Sequence, residues 1–409
     1  MKNQKINVGI VGLGGRGAVL SNILIDQADI NVVAVCDVYE DRQLAIAEKI
    51  KSKTGHMPVC TSNYRDILSM ELVDAIIIST GWKQHVQIMC EAMEAGIAVG
   101  CEVGGASIEE CWRLVRTYEK TGTPAMMLEN CCYGRDELML SNIVRQGVFG
   151  EVVYCGGCYQ HDLRESLANG HENRHYRLDE YLYRNRENYP THALGPIAKL
   201  LNINRGNLML TVTSSATKSA GLHEYIVKNK GEDCALSKAE ISQGDIVTTT
   251  IKCAGGENIV LTLNTTLPCP YSRGLKVCGT KGMYNEDNMS IFLDDKHNQY
   301  HMEWKNHFGN IEKYRNVYDH SIWKKMHDDG MRGEHSDIDY LVLRAFIDSL
   351  KENHKMPIDV YDMAAWMSIS ALSEKSLLLG GIPVAAEDFT NGRWIKRDTA
   401  EYWQYELNC

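Results

Sequence analysis

The chain has 409 residues, more than one ordinary domain and enough to bury two cores, and its 44% apolar and 23% charged residues are those of a globular protein. A formal net charge of −10 without a dense Lys/Arg block argues against nucleic acid or an anionic membrane surface as the main partner and favours a small or neutral ligand. No apolar run approaches the roughly 20 residues of a membrane-spanning helix, and "MKNQKINVGIVGLGG" enters a strand with no secretory pattern, so a cytoplasmic protein is expected.

The first stretch, "INVGIVGLGGRGAVLSNIL", predicts a strand, a glycine turn and a helix start, with Gly12, Gly14 and Gly17 in the G-x-G-x-x-G spacing of dinucleotide-binding turns. A second strand, "INVVAVCDVYEDR", ends in Asp37, where an acid bonds the adenosine ribose and repels a 2′-phosphate. NAD is therefore expected over NADP. Strands at "DAIIIST", "IAVGCEV" and "PAMMLEN" alternate with helices at "WKQHVQIMCEAMEAG" and "SIEECWRLVRTYEKTG", which predicts a parallel sheet covered on both faces. Ligands of such sheets lie beyond the carboxyl ends of the strands, where Trp82, His85, Glu102, Val103, Glu129 and Asn130 fall.

After residue 132 the pattern changes, and the expected organisation is a dinucleotide-binding domain over 1–132 and a substrate-binding α+β domain over 133–409. Strand candidates at "VVYCGGCYQHD", "LMLTVTSSAT", "DIVTTTIKCAG", "ENIVLTLNTT", "RGLKVCGTKGMYNED" and "MSIFLDD" predict a mostly antiparallel open sheet, one face of which can floor a substrate cleft. The polar region from Glu165 to Asn188 reads as a loop or lid, and helices at "DIDYLVLRAFIDSLKENH" and "VYDMAAWMSISALSEKSLLLGG" close the fold. Fourteen cysteines are scattered through these elements as small apolar residues. Cys155 and Cys158 form a C-x-x-C on a strand with no second ligand pair, so no metal is expected.

Tyr159 and His161 are two apart on a strand and share a face. Tyr189 and His192 fall at the start of a helix limited by Pro190 and Pro196, and Tyr271 lies in the proline-bounded loop "LPCPYSR". Together these residues have the composition of a site for proton transfer.

With these residues in view, the chain resembles the Gfo/Idh/MocA oxidoreductases over its whole length. The blocks "MMLENCCYGRDELM", "GGCYQHDLR", "YPTHALGPIAKLLNINRG" and "PIDVYDMAAWMSISALSEKS" more narrowly resemble the NAD-dependent glycosidases of glycoside hydrolase family 109, whose founding activity is α-N-acetylgalactosaminidase. The resemblance implies a cycle in which the sugar's C3 hydroxyl is oxidised, the ketone acidifies the C2 proton, and the C1 substituent leaves by elimination. Water then adds and C3 is reduced again, so NAD ends unchanged. It further implies NAD contacts from Gly15, Arg16, Asp37, Trp82 to His85, Glu102, Val103 and Asn130. Substrate contacts are implied for Tyr159, Arg177, Tyr189 to His192 (Thr191 among them) and Tyr271, with His192 also reaching the cofactor, and active-site positions for Glu129 and His161.

The chain departs from the sugar dehydrogenases at one place and from the narrower family at another, and it opens without the export signal expected of many family members. A sugar dehydrogenase of this plan carries Glu-Lys-Pro where the chain reads Glu102, Val103, Gly104, and the family's Gly-His-Gly-Gly stretch is replaced by Glu334, His335, Ser336. The expected function is thus a redox-neutral glycosidase acting on a small glycoside, in a homo-oligomer. A net NAD-dependent sugar dehydrogenase is the alternative, and an inactive NAD-binding sensor is opposed by the complete Tyr/His set.

Overall fold

The computed structural model describes residues 5–297, 304–329, 334–397 and 403–408. Among the described residues the chain forms two sheets, each in its own compact unit. The first unit, Met1–Asn130 with Met331–Ala364, holds β1 (Ile6–Val11), β2 (Ile30–Cys36), β3 (Val59–Thr61), β4 (Ala75–Ile78), β5 (Ala98–Cys101) and β6 (Ala125–Met127). These strands are parallel, in the order β3-β2-β1-β4-β5-β6. Every residue of β4 and β5 is buried, as a sheet covered on both faces requires. The winding reverses between β1 and β4, which places the glycine turn after β1 at the topological switch point.

The sequence pattern changes once, near residue 132, whereas the contacts return the helix Glu334–Glu352 to the first unit. Its side chains explain the return. Arg344 donates to Asp29 at 2.8 Å and to Gln27 at 2.9 Å, and Lys351 donates to Asp29 at 2.6 Å. Phe346 lies against β5, close enough that a Cβ on Gly100 would come within 3.3 Å of its ring. The Met127 N–H then donates to the carbonyl of Ile358 at 3.3 Å. Local periodicity carries no information about where a late helix docks.

The second unit is Cys131–Gly330 with Ala365–Cys409. Its strands are β7 (Val152–Gln160), β8 (Met209–Ala216), β9 (Ile246–Cys253), β10 (Asn258–Asn264), β11 (Lys276–Gly279), β12 (Gly282–Asn285), β13 (Ser290–Leu293) and β14 (Val384–Ala385). They form a sheet in the order β13-β12-β11-β7-β10-β9-β8-β14, antiparallel except for the parallel pair β7 and β10. The region read as a loop or lid contains two short helices, Arg164–Ala168 and Arg177–Tyr183. Leu167, Ala168 and Tyr181 tie them down, buried in one cluster with Tyr159, Leu222, Ile226, Val247 and Leu263. Among the described residues no helix is long and apolar enough to cross a membrane.

The helix Thr191–Leu200 packs on β7 across Gly157, where a Cβ would lie 2.8 Å from the Cβ of Ala193. Neither atom can rotate away, so Gly157→Ala must push helix and strand apart. Overpacking of this kind costs about 1–3 kcal/mol. The variant is expected to show a lower urea midpoint than the parent; an unchanged midpoint would mean that this approach does not hold the helix.

Candidate active site

In the first unit the glycine turn is shaped by sterics. Gly12 has φ +91°, and a Cβ there would lie 2.7 Å from the backbone of Ser79 and Thr80. A Cβ on Gly17 would lie 2.0 Å from the Gly12 carbonyl oxygen, so strand turn and helix meet with only hydrogen between them. Gly14 caps the helix Gly15–Ile25 without a side-chain hydrogen bond, and the first turn holds no acid. A Cβ on Gly15 would meet nothing within 4 Å. The helix start is thus uncrowded at Gly15, and a helix N-terminus with its N–H groups and dipole suits a pyrophosphate.

At the end of β2, Asp37 is fixed by accepting from the N–H of Leu13 at 2.7 Å and of Tyr39 at 3.0 Å. An Arg42 nitrogen stands 3.8 Å from the Asp37 carboxylate, and its guanidinium carbon lies 4.7 Å from the centre of the Tyr39 ring. An open helix start beside an acid fixed at the end of β2 fits a dinucleotide.

Trp82 and His85 are buried at the start of the helix Trp82–Glu94, packed so closely on Gly104 that a Cβ there would lie 2.9 Å from Trp82 and 3.1 Å from His85. Burial pushes the His85 imidazole down to about 4 against the opposing effect of its bond to Thr80. It is therefore neutral, and its Nε2–H donates to the Thr80 carbonyl at 3.0 Å. Glu102 accepts from Arg16 Nε at 2.8 Å and from the N–H of buried Val103 at 3.3 Å. Burial drives the Glu102 carboxyl above its usual range, with Arg16 working the other way. Burial would lower Arg16, but Glu102 and Asp339 hold its guanidinium above its ordinary value. Asn130 donates to Asp339 at 2.6 Å, while Glu129 is wholly buried just after β6. Sequence reasoning missed Asp339. The helix carries several charged residues, Asp337 and Arg344 among them, so nothing in its local pattern singled Asp339 out.

In the second unit, Tyr159, His161, Tyr189, His192, Tyr271 and Arg177 come together. The Tyr159 and Tyr189 rings stack at 4.2 Å, and His192 stands edge-on to both, at 5.6 Å and 4.8 Å. Tyr159 Oη and His161 Nδ1 are 3.1 Å apart, and the His161 ring meets Tyr271 edge-on at 5.3 Å. The Tyr271 loop is pinned to the end of β7 by paired backbone bonds between Gln160 and Ser272, at 3.1 Å and 3.0 Å. Arg177 lies 5.1 Å from the Tyr189 ring centre, a cation–π approach. Burial would lower its pKa, but Tyr176, Tyr159, Tyr189 and Tyr181 hold it up, so the guanidinium stays charged. Burial, then Arg177, pushes His161 below its ordinary value, leaving a neutral ring whose unprotonated Nδ1 can accept from the Tyr159 phenol.

Thr191 is buried at the first position of its helix. Glu187, also missed, supports the turn before it: its Oε1 accepts from the Tyr189 N–H at 3.2 Å, and burial pushes its carboxyl up to about 8. Cys155 and Cys158, three apart on β7, face opposite sides of the sheet, so the C-x-x-C does not share an ion. The substitution at Glu334 to Ser336 borders residues 330–333, which lie outside the described residues.

Residues 133–396 match the family model described as "Glycosyl hydrolase 109, C-terminal domain", and residues 6–128 match the NAD-binding Rossmann fold of an oxidoreductase family. A "Glycosyl hydrolase family 109 protein" of Stenotrophomonas maltophilia (strain K279a) is 37% identical over 421 residues, covering 97% of this chain and 91% of that protein. The "Alpha-N-acetylgalactosaminidase" of Tannerella forsythia is 36% identical over 422 residues, covering 97% of this chain and 88% of that enzyme. Among solved structures, levoglucosan dehydrogenase in complex with NADH and levoglucosan superposes with a TM-score of 0.69 at 15% identity, covering 94% of this chain and 100% of that one. A myo-inositol 2-dehydrogenase from Lactobacillus plantarum gives a TM-score of 0.65 at 17% identity, with coverage of 94% and 100%. At such identities the structures share the fold.

Two outcomes are expected from this geometry. Asp37→Ser removes a charged hydrogen-bond acceptor worth about 1.5–3 kcal/mol, so NAD affinity should fall roughly ten- to hundredfold. NADP affinity should rise at the same time, because Arg42 already stands beside the vacated carboxylate. Fluorescence titration with both cofactors measures the ratio, and an unchanged ratio would refute the reading of Asp37. Arg177→Gln removes a positive charge that disfavours the imidazolium, so the His161 pKa followed by NMR should rise; an unmoved value would separate the two residues.

Proposed function

Because the chain belongs to glycosyl hydrolase family 109, we propose that it hydrolyses α-N-acetylgalactosaminides by a redox-neutral cycle of oxidation, elimination, water addition and re-reduction. The observation that carries this reading is the Tyr159, His161, Tyr189 and His192 cluster beside a charged Arg177, within the part of the chain matched by the family's C-terminal domain. The relative from Tannerella forsythia named for that activity supports the choice of sugar. Bound NAD supplies a reversible two-electron oxidation at C3 and leaves the cycle unchanged.

The residues of the chain handle the protons. Tyr189 and His192 take the proton of the C3 hydroxyl as that carbon becomes a ketone. The ketone acidifies the neighbouring C2–H, and Tyr159, passing its phenolic proton to His161, accepts this one while the C1–O bond breaks to give an α,β-unsaturated ketone and the aglycone oxyanion, whose proton the water that adds later supplies. His161, within hydrogen-bond reach of the Tyr159 phenol, exchanges the proton with it. Water adds at C1, the proton returns to C2, and C3 is reduced again. Arg177, Thr191 and Tyr271 bind the sugar.

Incubation with p-nitrophenyl α-N-acetylgalactosaminide in deuterated water tests the cycle. Nitrophenol release with deuterium at C2 and no lasting NADH is expected; NADH formed mole for mole with product would establish the dehydrogenase instead. General acid–base groups contribute about 10²- to 10⁴-fold, so Tyr159→Phe should lose C2 exchange to that extent while bound NADH still forms on adding substrate. His192→Ala should suppress NADH formation itself. Turnover within a few-fold of the parent would remove the altered residue from the mechanism.

A further inference from the structure

Arg16 follows the glycine turn, at the second position of the helix Gly15–Ile25, and the side chain of Asp339 grips it. The guanidinium donates through one nitrogen to Asp339 Oδ2 at 2.6 Å and through another to Oδ1 at 2.8 Å, the two-pronged geometry in which Arg–carboxylate pairs are strongest. Its Nε donates to Glu102 at the end of β5, also at 2.8 Å. Asn130 Nδ2 reaches the same Asp339 Oδ1 at 2.6 Å. Asp339 is wholly buried, while the Arg16 side chain keeps 30% exposure, so the network is closed on the protein side and open at the arginine. Three residues expected to touch the cofactor, Arg16, Glu102 and Asn130, thus belong to one bonded set, and two of them are bonded directly to a carboxylate that arrives more than 200 residues later.

We propose that Asp339 is a positioning residue of the NAD site, which sets Arg16 and Asn130 in the arrangement that receives the dinucleotide. Pinning of its own helix does not account for it, because Arg344 and Lys351 already tie that helix to Asp29. An arginine forked onto a buried carboxylate cannot swing, so the residue following the glycine turn meets the cofactor with its orientation already fixed. Loss of the fork leaves Arg16 and Glu102 as a partly buried pair free to reorient, and the helix start loses its lateral restraint.

NAD dissociation constants of the full-length protein, measured by calorimetry after removal and return of the cofactor, test this directly. Asp339→Asn keeps the shape but loses the charge of the fork, a change of about 1.5–3 kcal/mol and hence a roughly ten- to hundredfold weaker NAD constant. Asp29→Asn loosens the same helix away from the network and should leave the constant within twofold of the parent. The combination of Asp339→Asn with Arg16→Lys should weaken NAD by less than the product of the single effects, as for residues acting through one interaction. If Asp339→Asn does not fold, Asp339→Glu, which keeps the charge and displaces it by one methylene, should still weaken NAD. An unchanged constant in whichever Asp339 variant folds, full additivity with Arg16→Lys, or an equal loss in Asp29→Asn would each overturn the proposal.

Discussion

The carbonyl oxygen of Gly12 occupies the space a Cβ on Gly17 would need, 2.0 Å away, and the nucleotide-binding unit is built around that contact. Because nothing larger than hydrogen fits, the chain can leave β1, turn through a positive φ at Gly12 and start its helix within three residues. The Ser79 hydroxyl closes the other side by donating to the same carbonyl at 2.7 Å, tying the turn to the end of β4. The sheet reverses its winding between those two strands, so the tightest packing in the unit coincides with the place where a ligand can approach the strand ends. The same turn carries the Leu13 N–H that holds Asp37, and the helix it starts carries Arg16 to Glu102 and Asp339.

The second unit relies on a different constraint, that of an aromatic ring held in the core. Tyr159 is 7% exposed, and its ring is packed among Leu163, Tyr181, Val247 and Leu263 while its phenol reaches His161. A side chain anchored this way does not pay rotamer entropy when a substrate arrives. The same strand sets its neighbours: Gly157 admits the helix that carries Thr191 and His192, and Gln160 pairs with Ser272 to bring Tyr271 alongside. Tyr159 on β7 with His161 just beyond its end, His192 on the helix with Tyr189 just before it, and Tyr271 on a pinned loop converge because β7 is common to all three.

Much of this was legible in the sequence. The parallel sheet follows from runs such as "DAIIIST" alternating with amphipathic helices, and Tyr159 and His161 meet as their spacing of two predicts, although β7 ends at Gln160 and His161 lies just beyond it. What escaped was encoded at long range or in too few residues. β3 and β14 span three and two residues, too short to show any alternation. The stretch from Glu165 to Asn188 is polar overall, and its helices depend on a handful of apolar side chains meeting a core built from other strands. Asp339 could not be connected to Arg16 by any local pattern, since the two lie 323 positions apart. Glu187 stands in a proline turn whose burial only the folded unit reveals.

The substitution of valine for lysine at position 103 bears on which part of the chain can move protons. Val103 is buried and has no group that titrates, and its neighbour Glu102 is occupied by Arg16 and by the Val103 N–H. The end of β5 here holds Arg16, at the second position of the helix that follows the glycine turn. In the cycle proposed above, proton acceptance falls to the aromatic cluster, which offers two phenols and two imidazoles in mutual ring contact. Net oxidation of a hydroxyl removes a single proton from oxygen, for which one base suffices. Elimination across C1 and C2 needs a second acceptor on carbon as well, and the proposed cycle draws its acceptors from one cluster, in which Tyr159 lies within hydrogen-bond reach of His161 while its ring stacks on Tyr189 and meets His192 edge-on.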